Sequence, residues 1–141
     1  MTGRRGRGPG AFERAIPSVP DAVDGVCRDL RAFLSTSEVS AAGFGIELVA
    51  RELLNNAVLH GNRLRAEKRA VLELRIGRRW ITLRVADTGL GFDWRSARRR
   101  TRAARHATHG RGLIIAGEYG AGVTFNQAGN SVTVRFEKPA V

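Results

Sequence analysis

Apolar residues recur at three- and four-residue intervals in two segments of the chain, which is the spacing of helices that bury one face. The first helix is predicted to begin at Asp21 as its N-cap, and the second to run from a cap at Ser40 to about His60, where Gly61-Asn62 supplies a stop. The buried stripes are Val23, Val26, Cys27, Leu30, Phe33 and Leu34 in the first helix and Ile46, Val49, Leu53 and Ala57 in the second. Both stripes predict helices that pack on one core.

Apolar residues alternate with other residues in the segments that we interpret as strands. Two strands, Ala70–Gly77 and Trp80–Asp87, are joined by a tight Arg78-Arg79 turn. A short edge strand is predicted for Phe12–Ile16, before the prolines at 17 and 20. A closing hairpin places Val123 and Phe125 on one strand, Ala128-Gly129-Asn130 in the turn, and Val132, Val134 and Phe136 on the other strand. These elements predict one small α/β domain.

Polar residues occur in two elements, the second helix and the Trp80–Asp87 strand, where the pattern leads us to expect burial. On the second helix, Glu52, Asn55 and Asn56 lie beside the apolar stripe, where an unpaired carboxylate is costly. In the Trp80–Asp87 strand, counting by two from Ile81 leads to Asp87. The alternation therefore directs the Asp87 side chain to the buried side of the sheet, where the strand ends in Thr88-Gly89-Leu90-Gly91.

Length and composition set limits on the class of protein. A chain of 141 residues with 43% hydrophobic residues is the size of one domain with a hydrophobic core. Residues 1–10, MTGRRGRGPG, are expected to be a disordered basic tail before a domain at 11–138. No apolar run is long enough for a signal peptide or a membrane span. The single cysteine, Cys27, fits a reducing cytoplasm and a core position.

The charge of the chain does not by itself identify a partner. A net charge of +11 is compatible with nucleic acid or with an acidic protein. Only Lys68 and Lys138 are present, and neither follows a glycine, so the chain contains no lysine phosphate loop of the G-x-x-x-x-G-K-[ST] type. A nucleotide site would have to be built in another way.

Three segments carry candidate chemistry, and each has an ordinary structural alternative. Glu52 and Asn56, four residues apart, present a carboxylate and a neutral oxygen on one helix face. Mg²⁺ needs only one or two protein oxygens besides phosphate, so Asn56 could be its protein ligand and Glu52 a base for a hydroxyl nucleophile. The alternative is that both are solvent-facing polar residues.

The other two segments suit the base and the phosphates of a nucleotide. The Asp87 carboxylate, beside a glycine turn, can accept a hydrogen bond from an exocyclic amine such as that of adenine, although D-x-G is also common at an Asx turn. Gly110-Arg111-Gly112, before a predicted helix at Leu113, offers backbone N–H groups to phosphate, although it can equally be a simple helix start.

The order and spacing of these segments resemble a known superfamily. E-L-L-N-N-A-V-L-H-G on a helix, V-A-D-T-G-L-G-F-D after a strand and H-G-R-G-L-I-I before a helix resemble the three ATP-site boxes of the GHKL superfamily. The segment A-I-P-S-V-P-D-A-V and the compact size are similar to bacterial anti-sigma-factor serine kinases of the RsbW type. The resemblance covers roughly residues 11 to 138, and it implies a Bergerat-type α/β two-layer sandwich, with helices on one face of a mixed, mostly antiparallel sheet.

The resemblance also implies roles for individual residues. Glu52 would be the catalytic base and Asn56 the Mg²⁺ ligand, while Asp87 would accept the adenine amine. The remaining nucleotide contacts would come from Gly89, Gly91, Gly110, Arg111, Gly112 and Leu113. Where the family often has Gly-Thr-Thr on the final strand, this chain has Gly129-Asn130-Ser131. The arginines at 95, 98, 99, 100, 102 and 105 are denser than is usual in the family's lid.

The function that the resemblance implies is that of an ATP- and Mg²⁺-dependent protein serine/threonine kinase. It would sequester a sigma factor and phosphorylate a serine on an anti-anti-sigma antagonist of the STAS type, without contacting nucleic acid or membrane directly. Dimerisation is a further expectation from the family. The alternatives are a non-catalytic ATP-binding regulatory module that acts by protein sequestration, and a basic nucleic-acid-binding protein.

Overall fold

A five-stranded sheet covered on one face by helices forms the part of the chain that the computed structural model describes, residues 10–87, 122–126 and 130–139. The strands are β1 (Ala11–Pro17), β2 (Arg69–Ile76), β3 (Trp80–Ala86), β4 (Gly122–Phe125) and β5 (Ser131–Glu137). The helices are α1 (Pro20–Ser35) and α2 (Gly43–Asn56). A 3₁₀ turn, Ser40–Ala42, precedes α2, and a π-helical turn, Ala57–Gly61, follows it.

The sheet has the strand order β1-β2-β3-β5-β4, and every pairing between the described strands is antiparallel. The register places apolar residues in rows across the three central strands: Leu72 with Val85 and Val132, Leu74 with Leu83 and Val134, and Ile76 with Ile81 and Phe136. All of these side chains are buried except that of Ile76, which packs against the core. The predicted sandwich is confirmed, and β1 is an edge strand as predicted.

Both helices contribute the apolar stripes that their spacing predicts. Every residue of the two stripes is buried except Phe33, which is partly buried against the core. Cys27 is fully buried, and this burial raises the pKa of its thiol, with nearby Arg51 opposing the shift. The predicted core role of Cys27 is confirmed. No helix among the described residues is long and apolar enough to cross a membrane.

The predicted starts of both helices are wrong by a few residues. Asp21 lies inside the first turn of α1, because Pro20 occupies the first helical position and Val19 is the residue before it. Proline suits that position, since it has no N–H to leave unpaired and its φ is already helical. Ser40 begins the 3₁₀ turn instead of capping α2, which starts at Gly43.

The chain leaves the π-helical turn through two residues with left-handed backbone, Arg63 (φ 51°) and Leu64 (φ 58°). The Leu64 N–H donates to the Val58 carbonyl at 2.8 Å, so the chain folds back over the end of the helix. A side chain with a Cβ costs about 1–2 kcal/mol in this conformation, whereas glycine adopts it readily.

Replacing Arg63 by glycine is therefore expected to raise the free energy of unfolding by about 1 kcal/mol. Urea unfolding measures this change. Arg63→Ala is the matched control, since it removes the same exposed charge but keeps the Cβ, and it should bring no gain. Equal stability of the two variants would show that the left-handed backbone is not strained.

Candidate functional site

The charged residues of α2, together with Asn56, lie on two different flanks of its buried stripe. Residues of an α-helix turn by about 100° each, so Glu47 and Arg51 share one flank, while Glu52 and Asn56 lie on the other. The first flank is tied to α1: Arg31 bonds to Glu47 at 2.6 Å, and Arg51 bonds to Asp24 at 2.6 Å. The second flank is turned away from these ion pairs.

Glu52 and Asn56 are partly buried, and neither takes part in an ion pair or a side-chain hydrogen bond with the described residues. They lie four residues apart at the C-terminal end of α2, where Asn56 is the last α-helical residue. Neighbouring side chains in the described part of the chain do not engage this carboxylate and this amide oxygen. Both groups are therefore suited to contact a bound ligand. Their catalytic and Mg²⁺-binding roles stay predictions.

Asp87 lies where the alternation of β3 predicts. Ile81, Leu83 and Val85 face the helices, and the next residue of that parity is Asp87, directly after the last residue of the strand. Its N–H donates to the Asn130 carbonyl at 2.9 Å, which continues the β3–β5 register by one pair. The carboxylate is therefore on the helix-covered face of the sheet.

The end of the helical segment meets the Asp87 carboxylate at Gly61. A Cβ built on Gly61 would overlap all three terminal atoms of that side chain, and even the farthest of them, Oδ1, would be only 2.8 Å away. A residue other than glycine therefore cannot occupy this position without moving the carboxylate. The contact joins the segment that carries Glu52 and Asn56 to the strand end that carries Asp87.

The sequence predicts Gly61 as a helix stop and as the last residue of the first box, but it assigns this glycine no contact, so its contact with Asp87 was missed. The two residues are 26 positions apart, and a glycine after a helix has an ordinary local explanation. The segment H-G-N after a helical stripe is a signal that could have indicated a second role for this glycine. To identify that role as a contact with Asp87 required the position of β3.

Two described residues of the connection between β4 and β5, Asn126 and Asn130, border the same strand end. The Asn126 side chain donates to Asn130 Oδ1 at 2.6 Å and accepts from the Asn130 and Ser131 N–H groups. Asn130 in turn pairs with Asp87. Part of the Gly129-Asn130-Ser131 segment is thus adjacent to the predicted base site, although Gly129 lies outside the described residues.

The other predicted contacts fall in segments that the structure does not describe. These are Gly89, Gly91, Gly110, Arg111, Gly112 and Leu113, together with the arginines between 95 and 105. Their roles at the phosphates and the base remain predictions from the sequence. Among the described residues, no group of three or more His, Cys, Asp or Glu side chains could hold a metal ion.

Comparison with known families identifies the domain to which these elements belong. Residues 16–136 match the sequence profile of the histidine kinase-like ATPase domain. The match includes α1, α2, all the described strands except the first residues of β1 and the last of β5, and every predicted site residue. Among curated proteins, none matches the chain.

Proposed function

Because the chain belongs to the family of histidine kinase-like ATPase domains, we propose that it is an ATP-binding anti-sigma factor and a protein serine/threonine kinase. In one state it sequesters a sigma factor. In the other state it transfers phosphate from ATP to a serine of an anti-anti-sigma antagonist of the STAS type. Family membership supports the use of ATP, and the resemblance of the three boxes to RsbW-type kinases supports the choice of partners.

The observation that carries the nucleotide site is the contact between Gly61 and Asp87. It brings the helix with the proposed base and metal ligand to the strand end with the proposed adenine acceptor. Asn56 precedes Gly61 by five residues, a separation of roughly 6–8 Å along a helix. One extended ligand with a base at one end and phosphates at the other suits such a spacing.

The residues present fit a magnesium nucleotide. The Asn56 amide oxygen would be the protein ligand of Mg²⁺, a hard cation that retains water and takes further oxygens from phosphates. When bound, the metal would offset negative charge on the phosphates. On the opposite side of the ligand, the Asp87 carboxylate would accept the hydrogen bond of the adenine amine and so select ATP over nucleotides that lack it.

Glu52 would supply the base for the transfer step. The serine hydroxyl of the antagonist loses its proton to the Glu52 carboxylate as its oxygen bonds to the γ-phosphorus, and the bond from that phosphorus to the oxygen of the leaving ADP breaks. Glu52 and Asn56 share one face of α2, so both act on the same end of the ligand. Neither is held in an ion pair with the described residues.

Incubation with γ-labelled ATP and with proteins encoded beside this chain tests the kinase directly. We expect label on one small acceptor protein, on a serine, and only when Mg²⁺ is present. Size-exclusion chromatography of the chain with sigma factors that are encoded nearby should show a complex. Adding the unphosphorylated antagonist should dissociate this complex. ATP binding without transfer to any acceptor would contradict the kinase and favour the non-catalytic module.

A further inference from the structure

Ser18 and Asn62, the buried polar side chains among the described core residues, bond to each other. The Asn62 side-chain amide donates to Ser18 Oγ at 2.8 Å and to the Arg69 carbonyl at 3.0 Å. The Ser18 hydroxyl donates to the Lys68 carbonyl at 2.7 Å. This group, which we call the Asn62 anchor, joins the connection before α1, the end of the π-helical turn and the start of β2.

The Asn62 anchor lies directly beside the proposed base site. Asn62 follows Gly61, and its own N–H donates to the Ala57 carbonyl at 2.8 Å, so it is held on the helix side as well. The register that pairs Val71 with Ala86 places Ala70 opposite Asp87. The Arg69 carbonyl that accepts from Asn62 is therefore next to the residue across the sheet from Asp87.

The buried amide of Asn62 differs from its surroundings in the core. Apolar residues fill the rest of the described core, and a polar side chain placed among them is costly unless it is hydrogen-bonded. Directional bonds fix a position more narrowly than apolar contacts do. The position fixed here is that of the adjacent Gly61 backbone, which limits where the Asp87 carboxylate can lie.

We propose that Asn62 is a positioning residue for nucleotide-base recognition. Through its bonds to Ser18 and to the start of β2, it holds the Gly61 backbone against the Asp87 carboxylate, and this contact keeps the carboxylate aimed at the exocyclic amine of adenine. The inference rests on the proposed function, since it requires that Asp87 contacts the base. It goes beyond that function by assigning base selectivity to a side chain that does not touch the ligand.

The test compares ATP with inosine triphosphate, which lacks the exocyclic amine, by competition against a fluorescent nucleotide on the full chain. We expect the wild-type protein to prefer ATP by roughly 10- to 150-fold, the value of one hydrogen bond to a charged group. Asn62→Ala should lower that preference at least about fivefold, mainly by weakening ATP binding. Ser18→Ala should act in the same direction with a smaller effect, and it serves as the test if Asn62→Ala does not fold.

Ile81→Val and Ile81→Ala are the matched controls. Ile81 is fully buried on the same strand as Asp87 but six residues away, about 20 Å in an extended strand. These variants lower the melting temperature without touching the anchor, and they should keep the wild-type preference for ATP. A merely structural Asn62 would behave like them.

The possible results separate the inference from the proposed function. A loss of preference in Asn62→Ala or Ser18→Ala, with preference kept in the Ile81 variants, supports the positioning role. An unchanged preference in both anchor variants overturns it while leaving the nucleotide site in place. A wild-type protein that binds neither nucleotide removes the proposed nucleotide site, and one that binds both equally removes the proposed role of Asp87 in base recognition; the inference fails in both cases.

Discussion

Replacing Glu52 by glutamine is expected to slow phosphate transfer to the antagonist serine by roughly 10²- to 10⁴-fold, the usual contribution of a positioned general base. Glutamine keeps the shape of the side chain but cannot take up the proton of the serine hydroxyl. ATP affinity should change little, because Glu52 is assigned no contact with the base. Single-turnover transfer of labelled phosphate and equilibrium ATP binding measure the two effects separately.

Glu47→Gln is the matched control on the same helix. Glu47 lies on the opposite flank of α2, where its carboxylate bonds to Arg31. Arg31 is largely exposed, and removing such a pair should change the free energy of unfolding by at most about 1 kcal/mol. The transfer rate of this control should equal that of the wild type. A Glu52→Gln protein that is as active as the wild type would remove Glu52 from the mechanism.

Replacing Gly61 by alanine is expected to weaken ATP binding by about 100-fold or more. The added Cβ would overlap the Asp87 carboxylate, and the side chain can turn aside more easily than the sheet or helix can move. Loss of a hydrogen bond to a charged acceptor accounts for about 1.5–3 kcal/mol, or roughly 10- to 150-fold, and the methyl group also narrows the site. The fold should survive, with a cost of about 1–3 kcal/mol for overpacking.

Gly25→Ala provides the corresponding control. A Cβ on Gly25, in the interior of α1, meets nothing within 4 Å. Alanine there should raise the free energy of unfolding by about 0.5–1 kcal/mol and leave ATP binding unchanged. Isothermal calorimetry and urea unfolding on both glycine variants give the comparison. Wild-type ATP affinity in Gly61→Ala would mean that the Asp87 carboxylate is not part of the base site.

Periodicity alone was enough to predict the buried faces of the helices and strands and the direction of Asp87, whereas the two-layer arrangement was implied by the family resemblance. Side chains alternate across a strand with a period of two, so once Ile81, Leu83 and Val85 are assigned to the core, Asp87 must follow them. The stripes of α1 and α2 were predicted correctly for the same reason, since burial repeats every 3.6 residues in a helix. Both periodicities follow from the local backbone geometry of a strand or a helix, so they can be read from neighbouring residues in the sequence.

Helix starts were less predictable because several local signals compete there. Asp21 and Ser40 are both good N-cap residues. However, Pro20 occupies the first position of α1, and Ser40 belongs to a 3₁₀ turn that precedes α2. The difference between these choices is on the order of 1 kcal/mol. Packing of the following helix on the core decides between them.

The sequence by itself determined which residues face the core, which polar residues interrupt it, and the family to which their order points. Only the tertiary structure decided that Gly61 lies against Asp87 and that Asn62 bonds to Ser18, 44 positions earlier. Periodic patterns record each element's own buried face, but they contain no information on which residues of separate elements meet. That pairing follows from the strand register and from the path of the chain between α2 and β2, which exist only once the sheet and helices have packed together.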